Sequence, residues 1–249
     1  MRFLPVTVTI CSIFLASIAE SQDVSPLIRK ADELDAQGRS DDAIEALKQA
    51  EKISPNNPNL LIKLSQDYSD KIDDSNDRSQ KLSFAKLCLE YAKKAVQQAP
   101  ENADAHVCLS IAYGKMTDFT DNKTKMEYSK VVKSEAEKAV ALNPKNDMAL
   151  LILARWNFDM ATLNPILKAF AQTLYGQLPP ASKELAVEYF QRAIAAAPEK
   201  IIHHAEYAQA LESMGKTKEA RAEWLKVKQL KPTDAEDRRY VAEADQRLK

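Results

Sequence analysis

Three histidines, His106, His203 and His204, are the side chains of this 249-residue chain best suited to act as bases or metal ligands near neutral pH. His203 and His204 are adjacent, so on a helix they point about 100° apart and cannot chelate one ion together. The chain has no H-E-x-x-H and no C-x-x-C, so the common zinc spacings are missing. His106 stands alone on a predicted helix and reads as a packed or capped histidine. Cys88 and Cys108 are too few for a disulfide framework and read as small buried hydrophobes. Only four glycines are present, at 38, 114, 176 and 215, and no phosphate-cradling loop can be written with them. Paired carboxylates abound, but a helical surface at 29% charged residues produces them for solvation. No nucleophile, base and orienting group share a spacing pattern, so the expectation is a non-enzymatic protein with no catalytic, cofactor or metal site.

The elements that must position any site are repeated. Five prolines, at 55, 100, 144, 198 and 232, each close the same local phrase. Its two apolar residues sit three apart, one turn along a helix face: Leu47/Ala50, Ala92/Ala95, Ala136/Ala139, Phe190/Ala193 and Trp224/Val227. The proline falls five residues after the second of them, where a helix must stop. The spacings between the prolines are 45, 44, 54 and 34. The last equals the tetratricopeptide period, and the others exceed it by insertions of 11, 10 and 20 residues.

In the fifth copy Gly215 makes the turn between helices and Thr217 is a candidate cap; Gly38 and Ser40 echo them in the first. The fold expected is all-α: a tetratricopeptide-like right-handed superhelix of antiparallel helix pairs, with an extra inserted helix and a C-terminal capping helix. The units run over about 25–57, 58–102, 103–146, 147–200 and 201–234, with the cap at 234–248, all in one domain from residue 20 to 249. Low glycine argues against a turn-rich sandwich or barrel.

With no reactive constellation, shape becomes the candidate function. The expected working surface is the concave face, where Val107, Ile111, Leu151, Arg155 and Phe158 would bury a helix or extended segment of a protein or peptide partner. No Lys–Asn pair occupies the first-helix positions that grip a peptide carboxylate in some tetratricopeptide proteins. In the insertion of the fourth copy, Phe170 and Leu174 fall on one face of the added helix. Residues 163–178 thus offer an alternative, a lipid-binding or membrane-tethering module. The balance of 35 Lys+Arg against 36 Asp+Glu gives no field for nucleic acid. The basic run from Lys216 to Lys231 reads as a solvated helix face.

Met1 and Arg2 precede an uncharged stretch from Phe3 to Ala19, with small residues at Ser17 and Ala19. Residues 1–19 read as a signal peptide, which makes the protein exported, secreted or periplasmic. The alternative is a membrane anchor through residues 3–19.

One stretch has a more particular likeness. Arg155-Trp156-Asn157-Phe158, then Leu174-Tyr175-Gly176-Gln177-Leu178-Pro179-Pro180, then Ala186-Val187-Glu188-Tyr189-Phe190-Gln191-Arg192-Ala193 resembles the regulator of microtubule dynamics family, a tetratricopeptide-like group. The likeness extends upstream through His106 and Ala139 to Pro144, over roughly residues 25–249. The glycine-proline turn is one residue longer here, and Cys108 stands where the family has Trp. The resemblance implies a helical-repeat fold, an interaction role, microtubule binding and, for some members, a place at membrane contacts between organelles.

Overall fold

The computed structural model describes residues 23–175 and 180–249. The expected signal segment therefore lies outside the described residues, as does Leu178. Those described form twelve α-helices and one 3-10 turn, with no strand among them. Helices α1 (Ser25–Ala36) and α2 (Ser40–Ile53) pack as an antiparallel pair. So do α3 (Pro58–Asp74) with α4 (Arg78–Gln98), and α5 (Ala103–Met116) with α6 (Asn122–Leu142). Helix α7 (Asp147–Thr162) packs on α9 (Lys183–Ala196), with α8 (Pro165–Tyr175) inserted between them in the chain. Helices α10 (Ile201–Ser213) and α11 (Thr217–Gln229) make the last pair, and α12 (Ala235–Arg247) covers it.

The proline phrase has one structural meaning in the first four copies, whereas in the fifth α11 ends with Leu230 donating to the Lys226 carbonyl. Its second apolar residue accepts the last helical N–H: Ala50 from Ser54, Ala95 from Ala99, Ala139 from Asn143, and Ala193 from Ala197. Those four alanines are fully buried. Each helix then enters a tight turn with proline second, closed by Asn57, Asn102, Asn146 and Lys200 donating to the carbonyls of Ser54, Ala99, Asn143 and Ala197. The three asparagines go on to cap α3, α5 and α7 through their side chains. Turn and cap thus occupy four residues at the starts of α3, α5 and α7.

Gly38 and Gly215 take φ of 75°, the left-handed conformation that ends α1 and α10. Ser40 and Thr217, expected as caps, are instead the first helical residues of α2 and α11, which have no side-chain cap. The glycine turn hands the chain over one residue too early for them. Asp234 does cap α12, accepting from Asp237.

The core is a spine rather than a ball. One apolar cluster fills α1 to α5. Val107, Ala139 and Ala149 join α5 and α6 to α7. Leu150, Leu151, Phe190 and Leu211 continue it through α10, where Ile201, Ala205 and Ala208 turn to Trp224, Val227 and Ala244. Burying side chains as large as Phe190 and Trp224 stabilises by about 1.5–3 kcal/mol each. Alanines at the crossings let backbones approach, so each pair depends on its neighbours.

Candidate protein-interaction surface

Helix α3 is 17 residues long and α4 is 21, and the extra turns come from the second-copy insertion. The lengthened end of α3 reaches the far end of the array: Asp74 lies 3.8 Å from the Arg239 guanidinium of α12. Only helices facing the inside of a curved stack can meet across it in this way. Helices α3 and α12 therefore share one side of the array.

Of the expected groove residues, Val107 and Leu151 are core. Val107 is 6% exposed against Ala139 and Ala149, and Leu151 is fully buried in the cluster around Phe190. These positions pack on the neighbouring pair instead of facing the groove, because the stacked units close over them. Ile111 and Phe158 are half-buried at the edges of the same two clusters. The side chains of Phe170 and Leu174 on α8 lie outside those described, while Ile166 of that helix is 81% exposed.

Arg155 is different. Half of its side chain is open to solvent, and its guanidinium lies 3.3 Å from Glu206 of α10. Burial alone would lower its pKa; the charges of Glu206, Tyr240, Asp159 and Glu236 outweigh this and hold it above its ordinary value. Glu206 also accepts from the Tyr240 hydroxyl at 2.8 Å, and Gln209 donates to Glu243 at 2.9 Å. The inner surface over α7, α10 and α12 is thus a row of fixed charges and hydrogen-bonding groups, more polar than the apolar groove expected from spacing.

Further along, Lys63 of α3 is ringed by Asp32 at 3.1 Å, Asp35 at 2.7 Å and Asp67 at 3.2 Å. One ammonium cannot neutralise three carboxylates. Asp67 is 2% exposed and neither of its oxygens has a hydrogen bond, so burial pushes it up to about 7.

All three histidines are tied down. His106 presents Nδ1 to Glu135 at 2.6 Å and Nε2 to the Pro100 carbonyl at 2.7 Å. His204 repeats this with Glu223 at 2.6 Å and the Pro198 carbonyl at 3.0 Å. At His204 both oxygens accept, so that ring is fully satisfied when it carries both protons, in line with its raised pKa. His203 binds Asp147 of α7 at 2.8 Å, beside Lys200. Burial would raise Asp147, but these two partners outweigh it and bring the carboxyl down to about 2. Each ring bridges one repeat to the next, through a proline-turn carbonyl or a first-helix carboxylate. Among the described residues no group of three His, Cys, Asp or Glu is placed to hold a metal ion. Cys88 and Cys108 are free and buried; burial pushes the Cys88 thiol up to about 11.

The family described as regulator of microtubule dynamics protein 1-3 matches residues 27–249 of this chain. The chain belongs to that family. Regulator of microtubule dynamics protein 3 of Bos taurus is 26% identical over 210 residues, covering 83% of this chain and 44% of that protein. Its Xenopus laevis counterpart is 24% identical over 181 residues, covering 72% and 39%. The chain therefore spans less than half the length of these curated relatives. Among solved structures, a thermophilic TPR protein of Thermus thermophilus superposes with a TM-score of 0.66 at 21% identity, over 90% of this chain and all of that one. PilW, a type IV pilus biogenesis factor, does so with a TM-score of 0.56 at 16% identity, over 91% and 86%. Both share the fold, an all-α tetratricopeptide-like superhelix.

Membership of this family corrects the expected destination. Export, with or without an anchor through residues 3–19, is overturned by relatives named for regulating microtubules, a polymer of the cell interior. A basic start followed by an apolar run is shared by several kinds of address, so its composition does not choose among them. No described helix is long and apolar enough to cross a membrane.

Proposed function

We propose that this protein is a non-enzymatic scaffold whose inner face holds an extended segment of a protein partner engaged in microtubule regulation. Family membership and the repeat fold support the scaffold role, and the relatives' names supply the process. The observation that carries the choice of face is the Arg155–Glu206–Tyr240 row, where the first helices α7 and α10 and the covering helix α12 bring linked polar groups to one space. Such a row reads the backbone and charged side chains of an extended chain. The lipid alternative has only the exposed Ile166 of α8 behind it.

Quantitative affinity purification with the full chain tests this, comparing wild type with an Arg155→Glu/Tyr240→Ala variant. The expected result is a partner set containing microtubule proteins that the variant loses while circular dichroism shows it still folded. Equal recovery by a folded variant would remove the inner face as the binding surface.

A further inference from the structure

The second and third copies each exceed the 34-residue period, and their insertions meet. Arg78, at the start of α4, donates to the Asp118 carbonyl in the 3-10 turn of the next copy at 3.1 Å. Its guanidinium also lies over the Phe119 ring, 5.4 Å from the centroid. An open cleft of about 400 Å³ lies between the two insertions. Ile72, buried, and Phe119, half-buried, are its apolar lining and serve as its floor. Its walls carry four cations, Arg78, Lys81, Lys115 and Lys125, against the carboxylates of Asp73 and Asp118. Lys115 is consumed by Asp73, at 2.6 Å to both oxygens. Lys81 and Lys125 have no carboxylate partner among the described residues. Arg78 is held by a carbonyl and a ring, neither of which cancels its charge.

We propose that this cleft is a second docking site, which takes an acidic segment of a partner protein with an apolar or aromatic side chain among its carboxylates. It deepens the scaffold reading and rests on it. Two unpaired ammonium groups and a pre-oriented guanidinium meet the acids, with desolvation kept low at the rim. The apolar floor takes the neighbouring side chain, which separates a peptide site from a mere anion sink. A chain carrying plain 34-residue units would have no such cleft, because every cation but Lys115 lies on the added turns or immediately after them.

The probe is a fluorescent, end-blocked pentapeptide of the pattern acid-acid-aromatic-acid-acid, read by anisotropy with the full chain. Wild type is expected to bind, more weakly as salt rises. Lys81→Glu/Lys125→Glu is expected to lose at least about tenfold in affinity, roughly 1.4 kcal/mol. The milder Lys81→Gln/Lys125→Gln pair should lose less while keeping the wild-type melting temperature. Arg155→Glu/Tyr240→Ala should bind the peptide as wild type does, which separates this site from the inner face. Unchanged affinity in both lysine variants would overturn the proposal. So would equal displacement of the peptide by inorganic phosphate at matched charge, or equal binding of an all-acid peptide lacking the aromatic residue.

Discussion

Replacing His204 with Ala is expected to lower the unfolding free energy by about 3 kcal/mol at pH 6, and by clearly less at pH 9. The ring is 6% exposed, and both nitrogens are committed, to Glu223 and to the Pro198 carbonyl. Its removal leaves a cavity, a carboxylate without its cation and a turn carbonyl without its donor. Burial alone would depress the His204 pKa; the hydrogen bonds from the ring to Glu223 and to the Pro198 carbonyl outweigh it, so the folded value is raised. The sign follows. Stability from a raised histidine is complete below the unfolded value of about 6.5 and is lost as pH rises through the folded one. Urea titrations of wild type and variant across that range check both size and slope. A loss that is the same at pH 6 and pH 9 would mean that packing, and not the charged pair, holds this junction.

The second large effect has the opposite direction. Asp67→Asn is expected to stabilise the protein by about 2 kcal/mol at pH 8, with the gain vanishing toward pH 4. Asp67 is buried by α3's packing, its oxygens lack hydrogen bonds, and Lys63 already serves Asp32 and Asp35. Asp35 and Asp70 add further negative charge around it. With the folded value near 7 and the unfolded one at 3.8, ionising Asp67 costs at most about 4 kcal/mol at high pH. An amide of nearly the same shape carries no charge and avoids that cost. Denaturant melts of the two proteins at pH 8 and pH 5 decide it. A variant less stable than wild type at pH 8 would show that Lys63 and Asp67 form a net-favourable ion pair.

Much of the fold was legible because it is local and periodic. Ala50, Ala95, Ala139 and Ala193 are marked by the proline five residues on, and the same register closes each helix in the structure. Gly38 and Gly215 signal their turns because few other residues adopt a positive φ. The surface was read less well. Val107 and Leu151 satisfy the arithmetic of a groove-facing helix position, but stacking on the next pair buries them. Helical spacing says which residues share a face; it does not say which neighbour covers that face. Lys63 with Asp32, and Arg78 with Asp118, are joined only by the packing of separate helices, so no short motif announces them. Basic residues counted in contiguous runs point to Lys216–Lys231, whereas the cleft gathers its cations from three separate stretches. The sequence signal available for it is the extra length of the second and third copies, which does not say that the two insertions meet.

The functional account depends on the first helices lining one narrow inner space, so that α3 and α12 touch across it. Zero-length carbodiimide coupling of an Arg239→Lys variant, read by peptide mass spectrometry, tests that contact directly. The expected product is an amide joining Asp74 to the lysine at position 239, formed within one molecule alongside the internal Lys115–Asp73 link that serves as control. The control link without any coupling between α3 and α12 would mean that the array stays open, and the inner-face account would fail with it.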